Sequence, residues 1–161
     1  MELIKYNGLS SDESWELSMA LDNLLADHQI YQTNLRKMYW NKGLKPYLDF
    51  HQQIGQLYES TRIVSNVVAE TILKLGHSPS TSESEFLAKS NVSVMEQVPN
   101  FDQAALMIVH NSQELLYTVR EVFEKAAELH EEFSMALMSR LARQLVINIQ
   151  FFIHARMAML N

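Results

Sequence analysis

The sequence contains no cysteine. That absence excludes a disulfide scaffold, a Cys-ligated zinc site, an iron–sulfur cluster and a thiol nucleophile. Glycine and proline are scarce, at 4 and 3 in 161 residues. The long stretches between them hold no hairpin signals, the one Asn-Gly pair being Asn7-Gly8 ahead of the first stretch, so long helices are favoured. An excess of positive charge is lacking too: 13 Lys and Arg against 19 Asp and Glu give a net charge of −6, the wrong sign for binding nucleic acid by electrostatics alone. The longest stretch free of acids and bases, positions 144–155, falls short of the roughly 20 residues that span a bilayer. Met1-Glu2-Leu3-Ile4-Lys5-Tyr6 lacks a basic segment followed by an apolar one, so no secretory signal is expected. A soluble, cytoplasmic protein without membrane association is the expectation.

What is present is ordinary globular composition, 47% hydrophobic and 20% charged, which argues against disorder. The length suits one domain over positions 1–161. Ser10-x-x-Glu13 is a capping-box pattern. Behind it, Leu17, Leu21, Leu24, His28, Tyr31, Leu35 and Met38 alternate four- and three-residue steps, one helical stripe that ends near Gly43 and Pro46. A second helix carries Phe50, Ile54, Leu57, Val64, Val68, Ile72 and Leu75 on one face and stops at Gly76. Positions 76–100 hold Gly76, Pro79 and Pro99 among many Ser and Thr. Within them, Ser82-x-x-Glu85 before Phe86-Leu87 predicts a helix of about two turns. Asn100-x-x-Gln103 caps a third long helix with Leu106, Val109, Leu116, Val119 and Phe123. The fourth uses Met138, Leu141, Leu145, Ile149, Phe152 and Leu160, after a break somewhere in 129–134 that no Gly or Pro marks. The pattern predicts an all-α, ferritin-like four-helix bundle with a long crossover carrying a short helix.

A di-iron site inside such a bundle needs inward carboxylates on all four helices. Positions 133–161 contain no Asp or Glu, so that site is excluded by composition. His28, within the first apolar stripe, reads as a satisfied core histidine, and His77 as a surface loop residue. Arg36, Lys37, Lys42 and Lys45 read as a solvated basic corner. The nine methionines read as core gap-fillers.

The run Asn34-Leu35-Arg36-Lys37-Met38-Tyr39-Trp40-Asn41-Lys42-Gly43, then Phe50-His51, then Ala69-Glu70-Thr71-Ile72 before Leu75-Gly76, resembles the Dps mini-ferritins. Positions 81–90, with Glu85-Phe86-Leu87 and Ser90, resemble that family's crossover helix. The resemblance implies a dodecameric hollow shell that oxidises ferrous iron, usually with hydrogen peroxide, and stores the ferric mineral; some members also bind DNA. It further implies a metal centre shared across a two-fold interface. One subunit supplies a His just before a Trp, a second His twelve residues on, and an Asp four further. The other supplies an Asp and, four residues later, a Glu.

Carried onto this sequence, His51, Glu70 and Trp40 match, whereas Tyr39 stands for the first His, Gly55 for the auxiliary Asp and Asn66 for the paired Asp. A neutral phenol and a neutral amide are poor ligands for Fe²⁺. Weak or absent iron binding at a degenerate site of His51 and Glu70 is therefore expected, with iron sequestration and protection from oxidative damage as the role. His51 and Glu70 stand 19 positions apart on one predicted helix, roughly 28 Å, so only two chains can bring them together. Leu48, Ile63 and Leu73 fall on the outward side beside Asn66 and Glu70, which predicts a buried subunit contact. Glu124, Glu128, Glu131 and Glu132 fall near the region that lines three-fold pores in the family. Two rival functions stay open: a catalytically silent protective shell, and a partner subunit that lends half-sites to a paralogue. No DNA binding is expected.

Overall fold

The computed structural model describes residues 7–97 and 100–161. The reading of the first six residues, and of Pro99, lies outside them. Five α-helices follow in order: α1 (Ser11–Tyr39), α2 (Leu48–Lys74), α3 (Glu83–Lys89), α4 (Phe101–Glu128) and α5 (Glu132–Leu160), with a 3-10 turn at Lys42–Leu44. No helix is long and apolar enough to cross a membrane among the described residues.

The helix ends form by the chemistry that the sequence advertises. Ser10 and Glu13 close a capping box at α1, and Ser82 and Glu85 close another at α3. Asn100 accepts the Gln103 N–H at the start of α4. Gly76, at φ +86°, turns the chain out of α2 while its N–H and that of His77 bond the Leu73 and Ile72 carbonyls. The unmarked break between α4 and α5 falls at Leu129–Glu131. There His130, not a glycine, takes a left-handed φ of 55°, and Glu131 caps α5 by accepting the Phe133 and Ser134 N–H groups. Such a conformation costs a non-glycine residue roughly 1–2 kcal/mol, and the cap offsets part of it.

Every member of the α1 stripe from Leu17 to Met38, His28 included, is buried. The other stripes need small corrections. Val64 and Ile149 are half-buried at the edges of their faces. Leu106 points to solvent, because the buried stripe of α4 runs through Ala104, Ala105 and Ile108 instead. Those small residues let α4 approach its neighbours closely, and a reading that weights large apolar residues misses them. Leu160 is exposed, since no side chain of α5 beyond Phe152 is buried.

Inter-helix bonds fix the topology. Ser14 Oγ donates to the Leu75 carbonyl, so α1 and α2 run antiparallel. Tyr31 meets Ser112, Asn34 meets Asn111 and Lys125 meets Glu16, so α1 and α4 are antiparallel. The Arg156–Asp102 pair sets α5 antiparallel to α4. Hence α2 and α4 are parallel, and the segment between them must travel the length of the bundle. It does so along α1, from Ser80 beside Asp22 to Met95 beside Asn34 and Lys37.

Candidate metal centre

The corner where α1 hands over to α2 brings together Tyr39, His51 and Gly55. Tyr39 is the last residue of α1. Beyond it Asn41 caps the 3-10 turn through the Gly43 N–H, and α2 then folds back so that His51 lies beside Tyr39. The two rings stack with centroids 4.6 Å apart and planes 16° from parallel. His51 Nε2 sits 2.7 Å from the Tyr39 carbonyl oxygen. A carbonyl only accepts, so Nε2 carries the proton and Nδ1 keeps its lone pair. One imidazole acceptor is thus oriented by the chain itself, as second-shell partners orient metal-binding histidines.

Gly55, one helical turn after His51, has no room for a side chain. A Cβ there would stand 2.7 Å from Tyr39 Cε2 and 3.2 Å from Cζ. The phenol ring therefore lies over the place where a ligand at position 55 would begin. Glycine inside a helix costs about 1 kcal/mol relative to alanine, and contact with the ring explains its presence. Tyr39 and Gly55 are a matched pair.

The remaining positions lie elsewhere. Asn66 and Glu70 are exposed on α2, and neither side chain makes a hydrogen bond among the described residues. One chain does not assemble the set: no three His, Asp or Glu side chains converge on a metal position among the described residues. His51 and Glu70 share one straight helix, which keeps them roughly 28 Å apart. Leu48, Ile63 and Leu73 face outward as expected; Trp40 is 71% exposed as well, and Arg36 lies 5.6 Å above its ring.

Other candidates find ordinary roles. His28 is buried, with Nδ1 donating to the Leu24 carbonyl at 2.9 Å, and burial pushes its pKa below the usual imidazole value. His77 differs from its reading: it is half-buried, and its enclosed Nε2 has no partner among the described residues. Of the basic corner, Lys37 donates to the Met95 carbonyl at 2.8 Å. Among the acids near the third connection, Glu131 caps α5 and Glu128 pairs with Lys125, while Glu124 and Glu132 remain exposed.

The sequence reading passed over a second polar constellation on α1. Asp27, fully buried, accepts from Thr118 Oγ1 at 2.6 Å, from the Asn91 N–H at 2.6 Å and from Ser90 Oγ at 3.0 Å. Asp22 accepts from the Ser80 N–H, Ser80 Oγ and Lys89 Nζ. Asn34 donates to the Ser93 carbonyl and accepts the Met95 N–H. Burial pushes the Asp22 carboxyl up, but Lys89 and Ser80 outweigh it and hold the pKa below the usual carboxylate range. The available signal was three amide or acid residues flanking an apolar stripe.

Comparisons with known proteins agree with this architecture. No protein-family model matches the chain. A Porphyromonas gingivalis protein named DNA protection during starvation protein is 27% identical, over 85% of this chain and 86% of its own. A Haemophilus influenzae protein of uncharacterized function is 31% identical over 82% of each. The crystal structure of a Dps protein from Vibrio cholerae, described as a member of a broad superfamily of ferritin-like diiron-carboxylate proteins, superposes with a TM-score of 0.85 at 27% identity. That match covers 89% of this chain and 91% of the other. A four-helix bundle with its crossover laid along α1, matched in sequence and in fold over most of its length, belongs to the Dps family of ferritin-like proteins.

Proposed function

We propose that the protein is a cytoplasmic Dps-like mini-ferritin whose subunits assemble into a hollow shell, of twelve copies, that sequesters iron and limits oxidative damage. Its ferroxidase activity at the inter-subunit site is weak or lost. The observation that carries this reading is the Tyr39 ring stacked on His51 and lying over Gly55. Iron is the substrate here. His51 Nδ1 of one subunit and Glu70 of another are the donors left to bind it. Tyr39 offers a neutral phenol, Asn66 a neutral amide and Gly55 no side chain at all. Losing an imidazole and two anionic ligands weakens the hold on a divalent cation.

The outward apolar residues Leu48, Ile63 and Leu73 support a buried two-fold contact next to Asn66 and Glu70. Twelve chains of 18.6 kDa make a shell of roughly 220 kDa. Light scattering that found only monomer would remove the shared site. At −6 per chain the shell carries about −72, which opposes duplex DNA.

Anaerobic loading with Fe²⁺ followed by air or peroxide, read by ferric absorbance, tests the activity. Slow oxidation supports the reading. Fast oxidation with all iron passing through His51 contradicts it. A silent shell, which the filled position at Gly55 favours, shows no protein-dependent oxidation at all. A subunit that serves a paralogue gains activity only when the two chains are assembled together.

A further inference from the structure

Two spaces in the bundle share walls. A surface groove of about 260 Å³ runs between α2 and α5, lined in part by Gln53, Gln56, Ser60, Gln144 and Asn148. A smaller space of about 30 Å³ lies deeper, against His28, Tyr31 and Thr61. Leu57, Ser60, Gln144 and Asn148 line both, so the groove leads to the inner cavity. Where they meet, the Gln144 amide donates to Asn148 Oδ1 at 3.2 Å across one turn of α5.

The chemistry of these walls is neutral throughout. Neither space is lined by Asp, Glu, Lys or Arg among the described residues. The nearby acid, Asp27, is committed to Thr118, Ser90 and Asn91. At the inner end stands His28, 4% exposed. Its Nδ1–H goes to the Leu24 carbonyl, so Nε2 carries the lone pair, and that atom has no partner among the described residues. A cavity of this volume, with His28, Ser60, Gln144 and Asn148 as polar groups on a mainly apolar wall, holds one water-sized molecule. An ion would leave its hydration shell with no countercharge to replace it.

We propose that this cavity is a binding site for one small neutral molecule, of one or two non-hydrogen atoms, that donates a hydrogen bond to His28 Nε2. Water is the resting occupant. Entry runs between α2 and α5, past the Gln144–Asn148 pair, and needs only side-chain rotation. The site is independent of His51 and Glu70, and it stands whether or not the shell oxidises iron.

Crystal structures of the assembled protein, untreated and soaked in methanol, test the proposal. The expected result is one ordered oxygen about 2.7–3.1 Å from His28 Nε2, without the anomalous signal of a metal. Methanol, a two-atom neutral donor, replaces it in the soaked crystal, and His28→Leu, which removes the acceptor at similar volume, loses it. An empty or collapsed cavity in the untreated protein overturns the proposal, as does an ion at that position or exclusion of methanol. If His28→Leu does not fold, the untreated and soaked structures of the native chain still decide.

Discussion

Asp27 and Glu70 are both acids on long helices, and the molecule treats them in opposite ways. Asp27 is buried with three donors on its two oxygens, whereas Glu70 is exposed and makes no hydrogen bond among the described residues. The same contrast separates their surroundings. Along the crossover side of α1, Asp22, Asp27 and Asn34 use their side chains to hold the segment Ser80–Met95 against the bundle. At the Tyr39 corner one imidazole nitrogen has no partner among the described residues, and the volume beside it is filled by a ring. Buried polar groups that are fully paired build structure. Polar groups left open on a face with exposed apolar neighbours await another chain or a ligand.

The largest effect expected from this contrast is on stability, at Asp27. Asp27→Ala leaves the Asn91 N–H without its acceptor and the Thr118 and Ser90 hydroxyls with only the Glu114 and Val92 carbonyls. At about 1–3 kcal/mol for a polar group that loses its partner, with the hydroxyls weakened besides, the loss is roughly 2–3 kcal/mol. Chemical denaturation of the iron-free protein measures it. A change below about 1 kcal/mol would mean that the crossover is held by apolar contact alone.

The matched pair at the other corner gives the next effect. Gly55→Ala drives a methyl into the Tyr39 ring, 2.7 Å from Cε2, and overpacking of this kind costs roughly 1–3 kcal/mol. In a Tyr39→Ala background the same substitution relieves a helical glycine and gains about 1 kcal/mol. A double-mutant cycle followed by thermal unfolding reads the coupling. Equal effects in both backgrounds would separate the two residues.

A smaller effect comes from pH. Asp22 has its pKa lowered in the folded protein, so its contribution is present above the unfolded carboxylate value near about 3.9 and is lost as pH falls through the folded one. His28 is held neutral by burial. Its contribution is complete above about 6.5 and falls away as the unfolded chain takes up its proton. Stability measured from pH 7 downward therefore declines in two stages. His28→Gln removes the first stage and Asp22→Asn the second. A His28→Gln variant with an unaltered first stage would assign that stage to another histidine.

Much of this was legible in the sequence, and the reasons differ by region. The α1 stripe and the capping boxes at Ser10 and Ser82 were visible because periodicity and caps are local properties. The crossover was visible as a gap between helices, but its anchoring was not. Asp22, Asp27 and Asn34 pair with residues 58 to 91 positions away, and no local pattern encodes that. Leu106 was misplaced because Ala104 and Ala105 carry the contact. The identities at positions 39, 51 and 55 could be read in order. Their steric dependence could not, since Tyr39 meets Gly55 only after the chain reverses through the 3-10 turn.

The measurement that bears most directly on the filled site compares Fe²⁺ oxidation by the native chain with that by the triple variant Tyr39→His, Gly55→Asp and Asn66→Asp, both confirmed as assembled. Removing the ring opens the space over position 55, and the three changes return one imidazole and two carboxylates. The predicted result is oxidation at least about tenfold faster in the variant. A native chain that oxidises Fe²⁺ as fast as the rebuilt one would contradict the account and place the chemistry elsewhere in the shell.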